Sequence, residues 1–304
     1  MRFPIIKNSL IWVWAGLIWM CICWVLFFNN LRLSKQFTGG IEFKVETTQN
    51  AVQVQSEISK LLWDENLRIT TNDAGGHTNV LIQQKTNDEN MLLLHAKNIQ
   101  DVYKSKTDKL VEFAIVWPSI GKQVSNTAVQ AIIRWLILMT LFIIFEFSKI
   151  RKFIQPWVLA LITIITMLFD ILSPMGIYGI KMMIDSTAQV DVIFIIALLS
   201  TMGYSINDTI IIFDRIREHL ETDKTHDVGT VFENSLRETM ARSLMTSGST
   251  LIVVLSMYFF GAGDLKNFAF SMAIGVLSGT FSSIFMAAPI AYLVTKRGIK
   301  PKKK

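Results

Sequence analysis

Residues 197–213 read ALLSTMGYSINDTIIIF, a run of mostly apolar residues that a single carboxylate, Asp208, interrupts. A membrane-spanning helix needs about 20 mostly apolar residues to cross roughly 30 Å of hydrocarbon. The stretch from 190 to 213 meets that length, so it predicts a helix that crosses a membrane. Similar stretches elsewhere in the chain predict five more spans, at 10–28, 128–148, 156–178, 244–260 and 269–295.

The composition of the whole chain favours the same interpretation. Hydrophobic residues make up 51% of the 304 residues and charged residues 18%, whereas soluble domains have about 45–50% and about 25%. These values exclude a disordered, a collagen-like and a disulfide-stapled secreted protein. Cys21 and Cys23 lie on different faces of the first predicted helix, so they indicate neither a disulfide nor a metal site.

Lysine and arginine set the predicted orientation, because short cytoplasmic loops are enriched in both residues. Basic clusters precede the first span, separate the second from the third and the fourth from the fifth, and follow the sixth. All of them share one side of the membrane if both termini are cytoplasmic. The net charge of +6 therefore indicates topology rather than nucleic-acid binding.

In the long segment between the first two spans, stretches with the two-residue period of a strand alternate with stretches that have the period of a helix. This segment would lie outside the cytoplasm. The order of elements, βαββαβ, is typical of a ferredoxin-like α+β domain. One face of its sheet is left open, which would suit contact with another polypeptide. The alternative is that the domain has only a structural role, as a plug formed by this long loop. The predicted strands cover 37–47, 67–72, 79–86 and 111–116, with a hairpin at AGGH between the second and third, and the helices cover 51–67 and 91–110.

We therefore predict a polytopic α-helical membrane protein of six transmembrane helices, with the ferredoxin-like extracytoplasmic domain between helices 1 and 2. The predicted parts are a cytoplasmic tail and first helix (1–29), the extracytoplasmic domain (30–127), a five-helix transmembrane bundle (128–295) and a basic cytoplasmic tail (296–304).

Asp208 needs an explanation, because an ionisable side chain inside a bilayer opposes insertion by about 2.5–3.5 kcal/mol. It lies about six residues, or roughly 9 Å, before the expected cytoplasmic end of its span at Asp214. Lipid offers no hydrogen-bond partners to polar side chains, so the helix face that carries Asp208 must contact protein or water. One interpretation is a carboxyl that binds and releases protons near neutral pH, and the other is a fixed interhelical hydrogen bond. The polar residues that accompany it are Thr201, Tyr204, Ser205 and the adjacent Asn207.

Two further charged residues fall within predicted spans. Asp170 lies some 20 Å from the cytoplasmic edge when counted from Pro156, so direct pairing with Asp208 is not expected. Asp170 could have a functional role or could make a structural polar contact, and the sequence does not distinguish the two. Arg242 lies inside the fifth span if that helix has the usual 20 residues and ends near Phe260, with Thr246 on the same face. It would reach Asp208 if the fourth and fifth helices pack together, and a snorkelling arginine at the membrane edge is the alternative.

The sixth span carries small residues at four-residue intervals, Gly275, Gly279 and Ser283, which predict close helix packing. The sequence SIGKQ at 119–123 lacks the pattern of a phosphate-binding loop. The four histidines have no metal-ligand spacing. We predict no enzyme activity, no cofactor and no metal, so energy would come from an ion gradient or a partner.

Four stretches of this sequence resemble the SecF family of protein-export membrane proteins of the bacterial Sec translocase. They are GYSINDTIIIFDRIRE at 203–218, FTGGIEF at 37–43, NSLRETMARSLMTSGST at 234–250 and FGAGDLKNFAFSMAIGVLSGTFSSIFMAAPI at 260–290. The resemblance implies a subunit of the inner membrane that works with SecD beside the SecYEG channel, and indirectly with SecA. It implies use of the proton-motive force to move unfolded preproteins. It also implies a proton relay of Asp208, Arg242 and Asp170.

Four residues depart from the family pattern, and they concern the outer domain more than the membrane core. This chain has Gln36 where the family has an aspartate before FTGG, and Trp117 where the family has a glycine. It has Glu146 in place of an arginine, and Phe169 in place of a histidine before Asp170. Two other functions are open. One is an ion-coupled half-transporter of the resistance-nodulation-division type for lipids or small molecules. The other is an assembly subunit in which Asp208 only packs helices.

Overall fold

The chain was analysed as a computed structural model, which describes residues 4–46, 51–62, 67–74, 77–84, 89–105, 109–148, 154–185, 188–222 and 227–298. The helices are, in chain order, α1 (Ser9–Asn30), α2 (Lys35–Thr38), α3 (Ala51–Leu62), α4 (Glu89–Ser105), α5 (Pro118–Glu146), α6 (Pro156–Ile184), α7 (Val192–Thr222), α8 (Val228–Phe260), α9 (Asp264–Ser282) and α10 (Ala288–Gly298). The strands are β1 (Gly40–Glu46), β2 (Leu67–Ala74), β3 (His77–Gln84) and β4 (Lys109–Val116).

The chain divides into two compact units. The first, called the membrane unit, contains Met1–Asn30, Ile132–Ile180 and Ile193–Lys304. The second, called the sheet unit, contains Leu31–Ala131 and Lys181–Val192.

Within the residues that the structure describes, six helical segments are long and apolar enough to cross a membrane, which confirms the prediction of a polytopic helical membrane protein. The sixth is made of α9, a π-helical segment at Ser283–Ala287 and α10. Of the six, α6, α7 and the sixth segment are the most buried, whereas α1, α5 and α8 are mostly exposed. The buried three therefore form the centre of the membrane unit.

Several helices extend well beyond the apolar stretches that predicted them. α7 continues to Thr222 and α8 begins at Val228, because polar helical turns continue outside the hydrocarbon-like stretch. α8 is capped by Asp227, whose side chain accepts a hydrogen bond from Gly229 N at 3.1 Å. α5 begins at Pro118, a residue favoured at the first position of a helix.

α1 packs closely against α6 because two glycines of α6 leave room for its backbone. A Cβ atom at Gly179 would lie 2.8 Å from the carbonyl oxygen of Leu26, and one at Gly176 would collide with Cys23. Helices approach this closely in membranes where the facing residues are small. Cys23 is thus a packing residue at a helix crossing.

The sheet unit contains four antiparallel-paired strands in the order β2-β3-β1-β4. The central strand β1 pairs Ile41 with Ile82 of β3 on one side and with Ile115 of β4 on the other. α3 and α4 bury Val54, Ile58, Ile99 and Tyr103 against Ile41 and Val80.

The predicted elements of this unit differ from the observed ones mainly at their ends. β1 begins at Gly40, because α2 and then Gly39, with φ 74°, precede it. α4 ends at Ser105, so the second helix is shorter than predicted. β2 and β3 pair from Ala74↔His77 outward, and the two glycines of the predicted hairpin lie outside the described residues.

The same unit holds a short pairing that the sequence did not predict. Ser34 N donates to Val190 O at 2.9 Å, and Val190 N donates to Arg32 O at 2.8 Å. Gln36 Oε1 then accepts from Val192 N, the first residue of α7, at 2.9 Å. A side-chain oxygen at a helix start satisfies a backbone N–H that has no intrahelical partner. Gln36, one of the departures from the family pattern, therefore caps α7.

Candidate functional site

Asp170 and Asp208 lie at similar depths in the membrane unit. Asp170 is fourteen residues after the first residue of α6, and Asp208 is fourteen residues before the last residue of α7. At 1.5 Å per residue, each is about 21 Å from that helix end. The two helices run antiparallel, since Tyr178 contacts Phe194 while Asp170 contacts Ser205. Ser205 lies three residues before Asp208, so the two carboxyls are separated by about one helical turn along α7, which is less than the offset expected from the sequence.

Asp170 lies among hydroxyl groups of two neighbouring helices. The residue is 1% exposed, and its carboxyl accepts a hydrogen bond from Ser205 Oγ of α7. The Ser282 hydroxyl, at the end of α9, lies near the same carboxyl and donates to Gly279 O at 3.1 Å. The other oxygen, Oδ1, is buried and has no hydrogen-bond partner among the described residues. Asp170 is therefore a half-satisfied carboxyl inside the helix bundle.

Asp208 is one helical turn after Ser205 and is 2% exposed. The groups that act on its carboxyl are the Ser243 hydroxyl and the Arg242 guanidinium, both from α8. Asp208 Oδ2 and Ser243 Oγ are each buried without a hydrogen-bond partner in the described part of the chain. Because the Ser243 hydroxyl lies beside the Asp208 carboxyl, a small shift or a proton can change the hydrogen bonding between them.

α8 contributes a buried ladder of hydroxyl residues. Ser247 Oγ lies 2.5 Å from Thr280 Oγ1 of α9 and accepts from Tyr204 OH of α7 at 3.2 Å. Because hydroxyls both donate and accept, such contacts can reorient when a nearby carboxyl gains or loses a proton. The ladder residues, spaced by four, are Ser235, Thr239, Ser243 and Ser247, and all are buried.

The small residues of the sixth segment bring it against the polar face of α7. A Cβ atom at Gly279 would lie 2.7 Å from Ser205 Cβ, and one at Gly275 would collide with Thr201. Ser283, the first residue of the π-helical segment, lies with its Oγ 3.1 Å from Thr209 Oγ1. π-Helical turns are rare and occur frequently at functional sites. We call the buried and partly buried hydroxyls and carboxyls at this level the polar layer. Its members are Asp170 of α6, Thr201, Tyr204, Ser205, Asp208 and Thr209 of α7, Ser243 and Ser247 of α8, and Thr280, Ser282 and Ser283 of the sixth segment.

The structure brings most of the predicted polar residues into this layer, with three exceptions. Asn207 is exposed on the other side of α7. Arg242 is exposed, and among the described residues no ion pair joins it to Asp208. Thr246 donates to the carbonyls of Arg242 and Ser243 of its own helix, at 3.1 and 3.0 Å.

Sequence reasoning missed five members of the layer, Thr209, Ser243, Ser247, Thr280 and Ser282. The four-residue spacing of hydroxyl residues along α8 was the available signal, because that spacing places them on one helix face. Within the described ranges, no group of three or more His, Cys, Asp or Glu residues is placed to hold a metal ion. The chemistry that the layer can perform is exchange of protons and hydrogen bonds.

Comparison with known proteins places this arrangement in a family. Residues 95–297 match the family described as "Protein export membrane protein SecD/SecF, C-terminal". The protein translocase subunit SecF of Haemophilus influenzae is 31% identical over 265 residues, covering 86% of this chain and 76% of that protein. The corresponding SecF of Rhodothermus marinus is 26% identical over 293 residues, covering 95% and 92%.

Solved structures show the same fold. The crystal structure of SecDF, a translocon-associated membrane protein from Thermus thermophilus, superposes with a TM-score of 0.79 at 23% identity and covers 98% of this chain. SecDF in its super-membrane-facing form gives a TM-score of 0.68 at 24% identity. The chain spans 39% of the length of each of these structures. The resemblance predicted from four sequence stretches is confirmed, and the chain belongs to the SecD/SecF family of protein export membrane proteins.

Proposed function

We propose that this protein is a SecF-type subunit of the bacterial Sec translocase, in which protonation of Asp208 changes helix packing to promote preprotein translocation. The observation that carries the proposal is the buried Asp208 Oδ2, which has no hydrogen-bond partner in the described residues and faces an equally unpaired Ser243 hydroxyl. A charged carboxylate left partly unpaired in a protein interior is disfavoured by several kcal/mol. Uptake of a proton removes that charge, and its release restores it.

The polar layer gives the proton a structural consequence. Asp170 bonds to Ser205 of α7, Ser243 of α8 lies beside Asp208, and hydroxyls of α8 and α9 meet at Ser247 and Thr280. One charge moved across 100 mV is worth about 2.3 kcal/mol, which shifts a two-state equilibrium more than tenfold. The membrane potential is therefore sufficient to favour one packing of these helices over another. Asp170 and Arg242 complete the proposed relay.

SecD is the proposed partner inside the membrane. α7 exposes Ser200, Gly203 and Asn207 on one face, at spacings of three and four residues. Lipid cannot satisfy the Asn207 amide, and small residues favour close approach of another helix. The chain matches 39% of the length of each SecDF structure, and the name SecDF supports SecD as the partner.

The remaining partners and the topology follow from the family and from the charge pattern. We propose that the protein lies in the inner membrane with both termini in the cytoplasm, because the basic clusters then share one side. The sheet unit, proposed as a ferredoxin-like domain bounded near 30–127, would lie on the outer side. Its strand order β2-β3-β1-β4 supports that fold. The SecYEG channel, SecA acting indirectly and the unfolded preprotein would complete the assembly.

The proposal is tested by replacing Asp208 and a matched carboxylate of the same helix. Asp214 is exposed and pairs with Arg217 at 2.5 Å, so it lies outside the polar layer. We expect Asp208→Asn to abolish the proton-dependent part of export in membrane vesicles while co-purification with SecD is unchanged. Asp214→Asn should retain both. Normal proton-dependent export by Asp208→Asn would refute the proposal.

A further inference from the structure

A cavity of about 430 Å³, open on one side, lies between α1, α6 and α9 of the membrane unit. Its wall includes Ala15 and Trp19 of α1, Phe169 of α6, and Leu277 and Phe281 of α9. Trp19 is in the middle of α1, so the cavity is at the depth of the hydrocarbon core. Leu277 is 58% exposed, which places the mouth of the cavity on the outer surface of the bundle.

Close contacts of α1 with its neighbours lie on both sides of the cavity. Near one end, Gly176 of α6 meets Cys23. Near the other end, a Cβ atom at Gly16 would lie 2.6 Å from Met286 Sδ in the π-helical segment. Trp19 lies between these points, where the helices stand apart. The stacked rings of Phe169 and Phe281, 5.8 Å apart, form the inner wall.

The polar groups of the wall are already bonded within the protein. Trp19 Nε1 donates to Ser173 Oγ at 3.0 Å, across from α1 to α6. Ser278 Oγ donates to Ile274 O at 2.8 Å within α9. The rest of the wall is apolar, so the cavity is suited to hydrocarbon and not to a ligand that requires hydrogen bonds.

We propose that one acyl chain of a membrane phospholipid occupies this cavity. The volume falls within the range of about 300–1,000 Å³ that is usual for ligand pockets. An apolar cavity of about 150 Å³ in another protein stays dry and binds benzene. Left empty, a larger one would lose the van der Waals contacts of its lining. Acyl chains surround the mouth, they have the matching chemistry, and their length suits a cavity open at one side.

The cavity and the polar layer lie on opposite sides of α6 and α9. An acyl chain in the cavity would therefore support the polar layer through these two helices. Phe169 is adjacent to Asp170 in α6, and Leu277 lies between Gly275 and Gly279 in α9. The acyl chain would therefore lie against α6 and α9 directly behind residues of the polar layer. This role does not depend on whether Asp208 exchanges protons.

The test uses the full chain in vesicles of phosphatidylethanolamine and phosphatidylglycerol, with a trace of phospholipid that carries a diazirine on its acyl chain. After illumination, we expect labelling to concentrate on the peptides of Trp19, Phe169 and Phe281. Ala15→Phe should fill the cavity and reduce that labelling to the level of the outer helix surfaces. Ile18→Phe adds a ring on an exposed face of α1 outside the cavity, so it should leave the labelling unchanged.

Thermal unfolding in detergent supplies a second readout. Added phospholipid should raise the Tm of the unmodified protein and of Ile18→Phe, and it should not raise the Tm of Ala15→Phe. If the unmodified protein is labelled evenly along its exposed helix faces, or if Ala15→Phe keeps the concentrated labelling, the cavity does not hold an acyl chain. The labelling pattern of the unmodified protein decides the question even if Ala15→Phe does not fold.

Discussion

Ser205 of α7 donates a hydrogen bond to Asp170 of α6, one helical turn before the second buried carboxyl, Asp208. This bond joins two of the three central helices at the depth where both carboxyls lie. Gly279 of α9 packs directly on the same serine. Ser205 is therefore the residue through which a change at either carboxyl would reach the packing of three helices.

Replacing Ser205 with alanine should lower stability, because Asp170 would keep two buried oxygens and lose a donor. An unsatisfied buried group costs about 1–3 kcal/mol, and more if it is charged. We expect Ser205→Ala to lower the free energy of unfolding by about that amount. Denaturant unfolding of the purified protein in detergent micelles measures the change.

The matched control is Ser200→Ala on the same helix. Ser200 is exposed, and its hydroxyl donates to Ile196 O of its own helix at 2.8 Å. Its removal should change the free energy of unfolding by no more than about 0.5 kcal/mol. Equal losses in the two variants would show that the bond to Asp170 contributes nothing specific.

The sequence revealed the carboxyls of the polar layer more readily than its hydroxyls. Asp170 and Asp208 are conspicuous, because charged residues are rare in apolar spans. Ser243 is not, because serine and threonine in helices commonly bond to the carbonyl of the preceding turn, as Thr246 does. Which hydroxyl faces the bundle depends on the rotation of α8 against α7, which is a property of tertiary packing.

Contacts between distant parts of the chain could not be predicted from the sequence for a similar reason. Periodicity located the strands of the sheet unit, but the pairing of Ile41 with both Ile82 and Ile115 joins distant segments. The bond from Gln36 to the start of α7 and the π-helical segment at Ser283 carry no periodic signal at all. Conversely, the apolar length that predicts a span says little about where a helix ends, as α7 demonstrates.

Gly279 should tolerate no larger side chain. A Cβ atom there would lie 2.7 Å from Ser205 Cβ, so α7 and α9 would have to move apart. Forcing extra atoms into a packed core costs about 1–3 kcal/mol. We expect Gly279→Ala to lower the Tm of the purified protein and to reduce export activity, because the Asp170–Ser205 bond depends on the same approach.

Gly248 of α8 provides the comparison. A Cβ atom there would meet nothing within 4 Å, so Gly248→Ala should leave the Tm unchanged or raise it. A drop in Tm of the same size in both variants would mean that the effect comes from glycine replacement in general, and that the contact with Ser205 is not important.

Asn207 should lie at a contact with SecD if the exposed stripe of α7 is an interface. After replacement of Cys21 and Cys23 by alanine, a cysteine introduced as Asn207→Cys should crosslink to cysteines placed along the SecD helices. Ile137→Cys, on an exposed part of α5, is the control and should give no such product. Crosslinking that is equal at both positions would indicate random collisions in the membrane.

Ser243 should separate the functional role of the polar layer from its structural role. Its hydroxyl faces Asp208 but makes no hydrogen bond in the described part of the chain, so its removal breaks no existing bond. We expect Ser243→Ala to keep the free energy of unfolding within about 0.5 kcal/mol, unlike Ser205→Ala. Proton-dependent export should nevertheless fall, because the group that can bond to Asp208 in one of its two protonation states is gone. Export is measured in vesicles at two proton gradients, with Ser243→Thr as the variant that retains a hydroxyl. A large loss of stability in Ser243→Ala would instead assign Ser243 to helix packing, and unchanged export would remove it from the proton pathway.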